Sequence, residues 1–224
     1  MNYEIVLDHG ETANKCTIIP LRARPDFRFF PVFGQGALGP LGAPILLHPD
    51  GRCLTDIPRA LPVSALASID CVWRRLPKIL PRLSWVSAPA ALAKVPDGFV
   101  TAYPRRGMPS ADPEGGLATI EALFIAAALL GNWDVSLLSR YYFGRAFVER
   151  NAKRFLAFGV TQAGDERQWP PQLHPQRNSH SRNGNRGRAK QEIELVLSGS
   201  NRLFTNLNLA HHTAGGITPT DEYA

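Results

Sequence analysis

The stretch ASIDCVWRRLPKIL, residues 67–80, decides how the chain is interpreted. Residues 63–70 are small and apolar, which predicts a buried strand that ends at Asp70. Beyond this aspartate come Trp73 and two arginines, at the place where the strand would meet its loop. A carboxylate there is either a strand end that faces solvent or a ligand-binding or catalytic group, because open α/β sheets bind ligands at the carboxyl ends of their strands.

The residues before this stretch predict short strands separated by loops. Residues 3–7 (YEIVL) predict a first strand and residues 15–24 (KCTIIPLRAR) a second. Residues 29–44 are so rich in Gly and Pro that they predict a loop, whereas residues 45–51 (ILLHPDG) predict a short strand followed by a Pro-Asp-Gly turn. We therefore expect a small, strand-rich N-terminal subdomain over residues 1–62.

The residues after this stretch alternate between strand and helix patterns. Residues 99–104 (FVTAYP) predict a buried strand, residues 105–116 a loop, and residues 117–131 (LATIEALFIAAALLG) the clearest helix, because Ala and Leu dominate it. A further helix is predicted over residues 135–158. Strands that alternate with helices predict an α/β domain with a mainly parallel sheet over residues 63–164.

The C-terminal part of the chain has a different composition. Residues 167–191 are mostly Pro, Asn, Arg, Ser and Gly, which leaves almost nothing to bury. Such a segment cannot repay its ordering entropy, so residues 165–224 are predicted to form a mostly disordered tail. Between Glu166 and Glu192 every charged residue is a cation. This favours a solvated linker, with an RNA-holding tail as the alternative.

Charge and composition narrow the classes of function. The chain has 224 residues with a net charge of +6, and its isoelectric point near 9.5 favours a polyanionic partner such as RNA. The longest apolar run, residues 122–131, is too short to span a bilayer, so no membrane association is expected. The N-terminus has acids where a signal peptide has cations, which favours a cytoplasmic location. Cys16, Cys53 and Cys71 show neither disulfide nor metal-site spacing, so no metal is expected.

Four stretches, taken in order, are similar to the motifs of one family. Residues 8–22 (DHGETANKCTIIPLR) are similar to a His…Lys-x-Cys-Ser/Thr segment, and residues 68–76 (SIDCVWRRL) to an Asp-Cys-Ser-Trp signature. Residues 101–130 are similar to an Ala-Asn-Pro loop that leads to Leu-Ser/Thr-x-x-Glu-Ala, and residues 142–151 (YFGRAFVERN) to Trp-Gly-x-x-Phe-x-x-x-Asn. On these motifs the chain, up to about residue 158, resembles the ribosomal small-subunit RNA aminocarboxypropyltransferase family. It resembles the DTW-domain tRNA-uridine enzymes more distantly.

The resemblance implies a knotted, SPOUT-like α/β fold and a transferase that uses S-adenosylmethionine as donor. Such an enzyme moves the 3-amino-3-carboxypropyl group to a uridine or pseudouridine in RNA, here in small-subunit rRNA or a pre-ribosomal particle. The chain departs from the family at Tyr103, Arg105 and Arg106, which makes it a divergent member. Three alternatives stay open: a methyltransferase of similar fold, a tRNA-uridine enzyme of the same chemistry, and a ribosome-assembly factor that binds RNA without catalysis.

The resemblance also implies the site residues. Asp70 would accept the proton from the attacking nitrogen, its alternative being a structural cap. Trp73 would wall off the donor methyl group and attract the sulfonium by a cation–π contact, its alternative being a core tryptophan. The residues expected to hold the donor are Thr17, Leu66, Ile69, Trp73, Phe99, Ala118 and Ala122. The residues expected to contact RNA phosphates are Arg74, Arg75, Arg105 and Arg106. The loop at residues 105–116 would cover the donor, and Glu121 is expected to be structural.

Overall fold

A five-stranded sheet forms the centre of the protein. The computed structural model describes residues 1–8, 16–57, 63–87, 90–104 and 116–173. The chain divides into a unit Met1–Arg177, which contains every described residue, and a unit Asn178–Ala224, which contains none. Its strands are β1 Asn2–Leu7, β2 Phe27–Pro31, β3 Leu38–Leu41, β4 Ile45–Cys53, β5 Ala65–Asp70, β6 Leu83–Trp85 and β7 Ala91–Lys94. Its α-helices are α1 Leu76–Ile79, α2 Thr119–Leu129 and α3 Gly144–Ala157.

All strand pairs in the described part of the chain are parallel. The main sheet has the order β2-β1-β5-β4-β7, and β3 pairs with β6 in a second, two-stranded sheet. The predicted α/β architecture with a mainly parallel sheet is therefore confirmed, while the knotted, SPOUT-like arrangement stays a prediction. Because β1 lies between β2 and β5, the predicted boundary at residue 62 separates segments that share one sheet.

The strands of the sheet centre are buried on both faces. In β1, Tyr3, Ile5 and Leu7 pack in the core that contains α2 and α3, whereas Val6 belongs to the core on the opposite face. Successive side chains of a strand point to opposite faces, so a strand covered on both sides needs a continuous apolar run. The sequence YEIVL is apolar except for Glu4, whose carboxylate accepts from the N–H groups of Gly42 and Ala43 at 2.8 and 2.9 Å. Its four apolar residues made this strand predictable.

The two long helices pack on one face of the sheet. Nine residues of α2 are buried, from Ile120 to Leu129, which is why its sequence is apolar on every side. The ring of Phe124 in α2 meets the rings of Phe147 and Phe155 in α3 at centroid distances of 6.4 and 5.8 Å. Of all described helices, none is both long and apolar enough to cross a membrane.

Two predictions for the first 44 residues are wrong. Residues 16–24 contain no strand but a 3₁₀ turn at Ile19–Leu21. The predicted loop at residues 29–44 instead contains most of β2 and the whole of β3. Proline lacks the N–H that a ladder needs, but it is tolerated at the edge of a sheet. Because β2 is an edge strand and β3 pairs on one side only, their prolines do not prevent strand formation.

The predicted strand at residues 99–104 is also wrong, because side chains take the backbone hydrogen bonds of this segment. Asn151 Oδ1 accepts from the Val100 N–H at 2.7 Å, and Asn151 Nδ2 donates to the Val100 carbonyl at 2.8 Å. Glu121 Oε1 accepts from the Ala102 N–H at 2.9 Å. Buried backbone groups must be paired, and here side chains of α2 and α3 replace a neighbouring strand.

β4 continues through the predicted Pro-Asp-Gly turn. Its partner Ala93 in β7 lies opposite both Leu47 and Arg52, so the residues between them form a bulge. A Cβ atom on Gly51 would lie 2.5 Å from the Ala93 nitrogen, so the close approach of the two strands requires glycine here. The bulge brings His48 and Pro49 to the end of the sheet that carries the cavity described below.

The predicted disorder is wrong for residues 165–173. A 3₁₀ turn at Glu166–Gln168 leads to Trp169, whose indole N–H donates to the Ala163 carbonyl at 3.0 Å. Trp133 donates in turn to the Gln168 carbonyl at 2.9 Å. The remainder of the predicted tail, residues 174–224, lies outside the described residues.

Candidate functional site

A cavity of about 670 Å³ lies at the carboxyl ends of β4, β5 and β7, next to the N-terminus of α2. This volume falls within the range of roughly 300–1,000 Å³ that small-molecule sites occupy. The lining includes the predicted site residues Thr17, Ile69, Asp70, Trp73, Ala118 and Ala122. The parallel sheet and α2 therefore bring together residues from three separate sequence motifs.

Asp70 is the last residue of β5 and is almost fully buried, with 7% of its surface exposed. Its Oδ1 accepts a hydrogen bond from the Thr119 hydroxyl at 2.6 Å, and its Oδ2 accepts one from the Cys16 thiol at 3.0 Å. Burial raises the pKa of Asp70 above its ordinary value, and the two hydrogen bonds oppose that shift. The negative charge of Asp8 raises the pKa of Asp70 further. The carboxylate is thus held by two donors and made more basic than a surface aspartate.

Cys16 and Thr119 were not predicted to act on Asp70. Burial raises the pKa of the Cys16 thiol, and the neighbouring Asp70 raises it further, so the sulfur keeps its proton and remains a donor. Thr119 is the first residue of α2. Both residues stand inside the motifs that carry the resemblance, but their contact with Asp70 depends on the tertiary structure and cannot be derived from spacing.

A second buried carboxylate lies beside Asp70. Asp8 follows β1, and its backbone N–H donates to the Asp70 carbonyl at 3.0 Å. The Asp8 side chain is almost fully buried, and its Oδ2 lies 3.0 Å from Arg75 Nε. Arg75 therefore balances a buried negative charge. Arg74 is exposed, whereas Arg105 and Arg106 lie outside the described residues, as does most of the predicted covering loop.

Glu121 fixes the wall of the cavity opposite the sheet. This carboxylate is fully buried in α2 and accepts four hydrogen bonds. Oε2 accepts from the Thr101 hydroxyl at 2.6 Å and from the Ala118 N–H at 2.9 Å, and Oε1 accepts from the Ala102 N–H at 2.9 Å and from the Tyr141 hydroxyl at 2.8 Å. These contacts join the segment before the cavity-lining Tyr103 to the start of α2. They support the structural role expected for this residue.

The apolar walls come from two elements. Trp73 begins the 3₁₀ turn Trp73–Arg75 that follows β5, and it lines the cavity together with Leu76. Ala118 and Ala122 line the side formed by α2. Small side chains on this helix leave the space that the cavity occupies.

Leu66 and Phe99, two residues expected to hold the donor, do not line the cavity. Leu66 is fully buried in the core of the sheet. The ring of Phe99 stacks on Phe158 at a centroid distance of 5.9 Å and meets Phe155 edge-on at 4.9 Å. Packing in the hydrophobic core therefore accounts for both side chains.

Several polar residues of the cavity were not predicted. His48 Nδ1 accepts from the Asp50 N–H at 3.2 Å, so in the neutral ring the proton is on Nε2. Lys94, at the end of β7, lies 3.6 Å from Asp97. His48 lies within the bulge of β4, and Lys94 is the last residue of β7. The bulge and the bounds of β7 depend on strand pairing, so the sequence alone did not single out these two residues.

Comparison with solved structures finds a protein with partial structural similarity. The structure of the SAM-dependent rRNA:acp-transferase Tsr3 from Vulcanisaeta distributa has 20% sequence identity to this chain and a TM-score of 0.48. The match covers 75% of this chain and 88% of that chain. No protein-family model and no curated protein sequence matches the chain. At this level of similarity, the chain's own residues must carry any argument about function.

The cavity residues fit S-adenosylmethionine. Apolar side chains of β5, the following turn and α2 form walls suited to an adenine ring, and Trp73 presents an indole that can attract a sulfonium. The buried Asp70 supplies a negative charge at the same place. Among the described residues, no group of three or more His, Cys, Asp or Glu side chains could hold a metal ion.

Proposed function

We propose that this protein transfers the 3-amino-3-carboxypropyl group of S-adenosylmethionine to a uridine or pseudouridine in RNA, with small-subunit rRNA as the substrate. One observation carries the proposal. One cavity is lined by residues from three sequence motifs of the family that the chain resembles. These residues are Thr17 from the first motif, Asp70 and Trp73 from the second, and Ala118 and Ala122 from the third. Each of these residue types has an ordinary structural explanation alone, but their convergence at the carboxyl ends of parallel strands is typical of a binding site.

Asp70 acts in the proposal as the general base. The donor, when bound, would supply an electrophilic carbon next to a sulfonium. As a nucleobase nitrogen forms a bond to that carbon, the carbon–sulfur bond would break and methylthioadenosine would leave. Asp70 accepts the proton of the nitrogen, for which a carboxylate with a raised pKa is better suited than an ordinary one. Thr119 and Cys16 hold the two carboxylate oxygens and so fix the direction from which the proton arrives.

The remaining cavity residues bind and orient. Trp73, Ala118 and Ala122 exclude water from the apolar part of the donor, and the charge of Asp70 favours the sulfonium. Arg75 forms an ion pair with Asp8, which reduces the repulsion between Asp8 and Asp70 next to the bound RNA. The exposed Arg74 and the arginines at 105 and 106 are proposed to contact phosphates.

Analysis of the small products tests the reaction. The protein is incubated with S-adenosylmethionine and with small-subunit rRNA or tRNA as separate substrates, and the nucleoside product is measured by mass spectrometry. Methylthioadenosine is expected with rRNA. Adenosylhomocysteine would mean methyl transfer, methylthioadenosine with tRNA alone would assign the other substrate, and neither product would leave only an RNA-binding role.

Calorimetry tests the donor site independently of turnover. Ala122→Arg should abolish S-adenosylmethionine binding, because a long cation would fill the cavity and repel the sulfonium. Ala157→Arg is the matched control, since Ala157 is exposed at the end of α3. If both variants bound the donor like the unmodified protein, the cavity would not be the donor site.

A further inference from the structure

A row of aromatic rings leads from the cavity to the protein surface. Tyr103 lines the cavity, and its ring meets Phe143 edge-on at a centroid distance of 6.1 Å. Phe143 in turn meets Tyr142 edge-on at 4.9 Å. Tyr142 is 46% exposed, so its ring is accessible from solvent. The three residues, Tyr103, Phe143 and Tyr142, are called the aromatic row below.

The turn that carries two of these rings is rigidly anchored. On one side, the Tyr141 hydroxyl donates to the buried Glu121 at 2.8 Å. On the other, α3 begins at Gly144, where a Cβ atom would lie 2.9 Å from the Leu138 carbonyl oxygen. Glycine therefore lets the turn pack closely, and Tyr142 and Phe143 are held between two fixed points. The exposure of Tyr142 follows from this anchoring and not from a loose loop.

Two arginines flank the aromatic row. Arg140 is exposed and forms no ion pair within the part of the chain that the structure describes. Arg150 is also exposed, and it donates to the Thr101 carbonyl at 3.1 Å, which places its guanidinium beside the segment that leads to Tyr103. A stacking surface with cations at its edges is the combination that single-stranded nucleic acid requires.

We infer that the aromatic row is a stacking platform for the nucleotides next to the base that enters the cavity. A base flanking the target stacks on Tyr142, while Arg140 and Arg150 contact the phosphates. The partner is single-stranded RNA, because unstacked bases offer a face to an aromatic ring and paired bases do not. This inference rests on the proposed function for the identity of the base in the cavity, but RNA binding can be measured without it.

Fluorescence anisotropy with a labelled single-stranded uridine decanucleotide tests the platform. Tyr142→Ala should weaken binding of this probe about 10-fold, the size of loss that follows removal of one base–aromatic stack. Tyr142→Phe should bind like the unmodified protein, since it keeps the ring. Leu156→Ala is the matched control, because Leu156 is equally exposed at 45% but lies near the other end of α3.

The salt dependence separates the arginine contribution from stacking. Arg140→Gln should reduce the slope of log affinity against log salt concentration by about 0.7, the value for one phosphate contact with a single strand. Tyr142→Ala should leave that slope unchanged. If Arg140→Gln had the same slope as the unmodified protein, Arg140 would not contact a phosphate.

The outcome for the platform is distinguishable from the outcome for the reaction. If Tyr142→Ala bound the probe as tightly as the unmodified protein, the platform would be wrong even where methylthioadenosine is formed. If Tyr142→Ala lost affinity but the unmodified protein released no methylthioadenosine, the platform would stand and the proposed reaction would fall.

Discussion

Asp70 combines three properties that rarely occur in one carboxylate. It is almost fully buried, both of its oxygens accept from neutral donors, Thr119 and Cys16, and no cation among the described residues donates a hydrogen bond to it. An isolated buried charge is costly, so the group is easier to protonate than a surface aspartate. Carboxylates with a raised pKa are found at sites where the group takes up a proton during function, which is the role proposed for Asp70.

Replacement of Asp70 by asparagine should separate catalysis from binding. Asp70→Asn keeps the size of the side chain but removes the proton acceptor, so transfer should fall about a hundred- to ten-thousand-fold while donor affinity changes little. In the unmodified protein, activity should be lost as the pH falls through the raised pKa of Asp70, because the base must be ionised. Single-turnover rates over a pH series, with calorimetry for the donor, measure both. Normal turnover by Asp70→Asn would return this residue to a structural role.

The same residue should make stability depend on pH. Because the pKa of Asp70 is raised above 3.8 in the folded state, the folded protein binds this proton more tightly than the unfolded chain does. The stabilisation is complete below pH 3.8 and is lost as the pH rises through the raised pKa. As the pH increases through this range, the unmodified protein loses this stabilisation and the Asp70→Asn variant does not. Thermal unfolding should therefore show the melting temperature of the variant rising relative to that of the unmodified protein. A constant difference between the two would contradict the prediction.

At the scale of elements, the Glu121 side chain joins three segments of the chain by hydrogen bonds. One carboxylate in α2 holds the segment at residues 101–102, the start of its own helix and the turn that carries Tyr141. Asn151 of α3 holds Val100 in the same way. The non-regular segment 99–104 is thus held by hydrogen bonds from two helices, and its residues Tyr103 and Pro104 line the cavity.

Glu121→Gln should destabilise the protein without removing the side chain's volume. Each oxygen of Glu121 accepts hydrogen bonds from one backbone N–H and one hydroxyl. An amide nitrogen in place of either oxygen cannot accept, so at least one of these donors would lose its partner. We expect a loss of about 1–3 kcal/mol in the free energy of unfolding, measured by urea denaturation. Glu149→Gln, at an exposed position of α3, should change it by less than about 0.5 kcal/mol. Equal effects of the two substitutions would show that the hydrogen bonds of Glu121 carry little stability.

At the scale of the whole molecule, the described body extends to residue 173. Trp169 is tied to Ala163 by its indole N–H, and the Arg145 guanidinium lies 5.4 Å from the centre of its ring. Arg145 also pairs with Glu166 at 3.1 Å. The segment after Gly164 therefore completes the surface around α3, although its composition is that of a linker.

Two truncations should locate the end of the folded body. Removal of residues 174–224 should leave the melting temperature and donor binding unchanged and should weaken RNA binding modestly, because cations such as Arg182 and Arg188 are lost. Removal of residues 165–224 should lower the melting temperature by several degrees, because Trp169 and Glu166 are lost as well. Equal melting temperatures for the two truncations would mean that residues 165–173 do not stabilise the body.

The sequence predicted the elements whose residues are mostly apolar and buried. β1, β5 and α2 are buried on all sides, and each was identified from its composition. Asp70 was identified because it ends such a strand. β2, β3 and the segment 99–104 were misassigned, because edge position and side-chain hydrogen bonds decide their conformation and neither leaves a periodic pattern. The contacts of Asp70 with Cys16 and Thr119 join distant parts of the chain, so no local pattern could reveal them.

The hydrogen bonds of Asp70 also bear on the order in which the protein folds. They join residues that are 54 and 49 positions apart, so each can form only when the loop between its two partners has closed. Contacts of such long range are entropically expensive and arise late in folding. A chain still being synthesised therefore cannot complete the surroundings of Asp70 until Thr119 has emerged from the ribosome. Under the proposed function, a partly folded chain would lack the fully hydrogen-bonded carboxylate on which transfer depends.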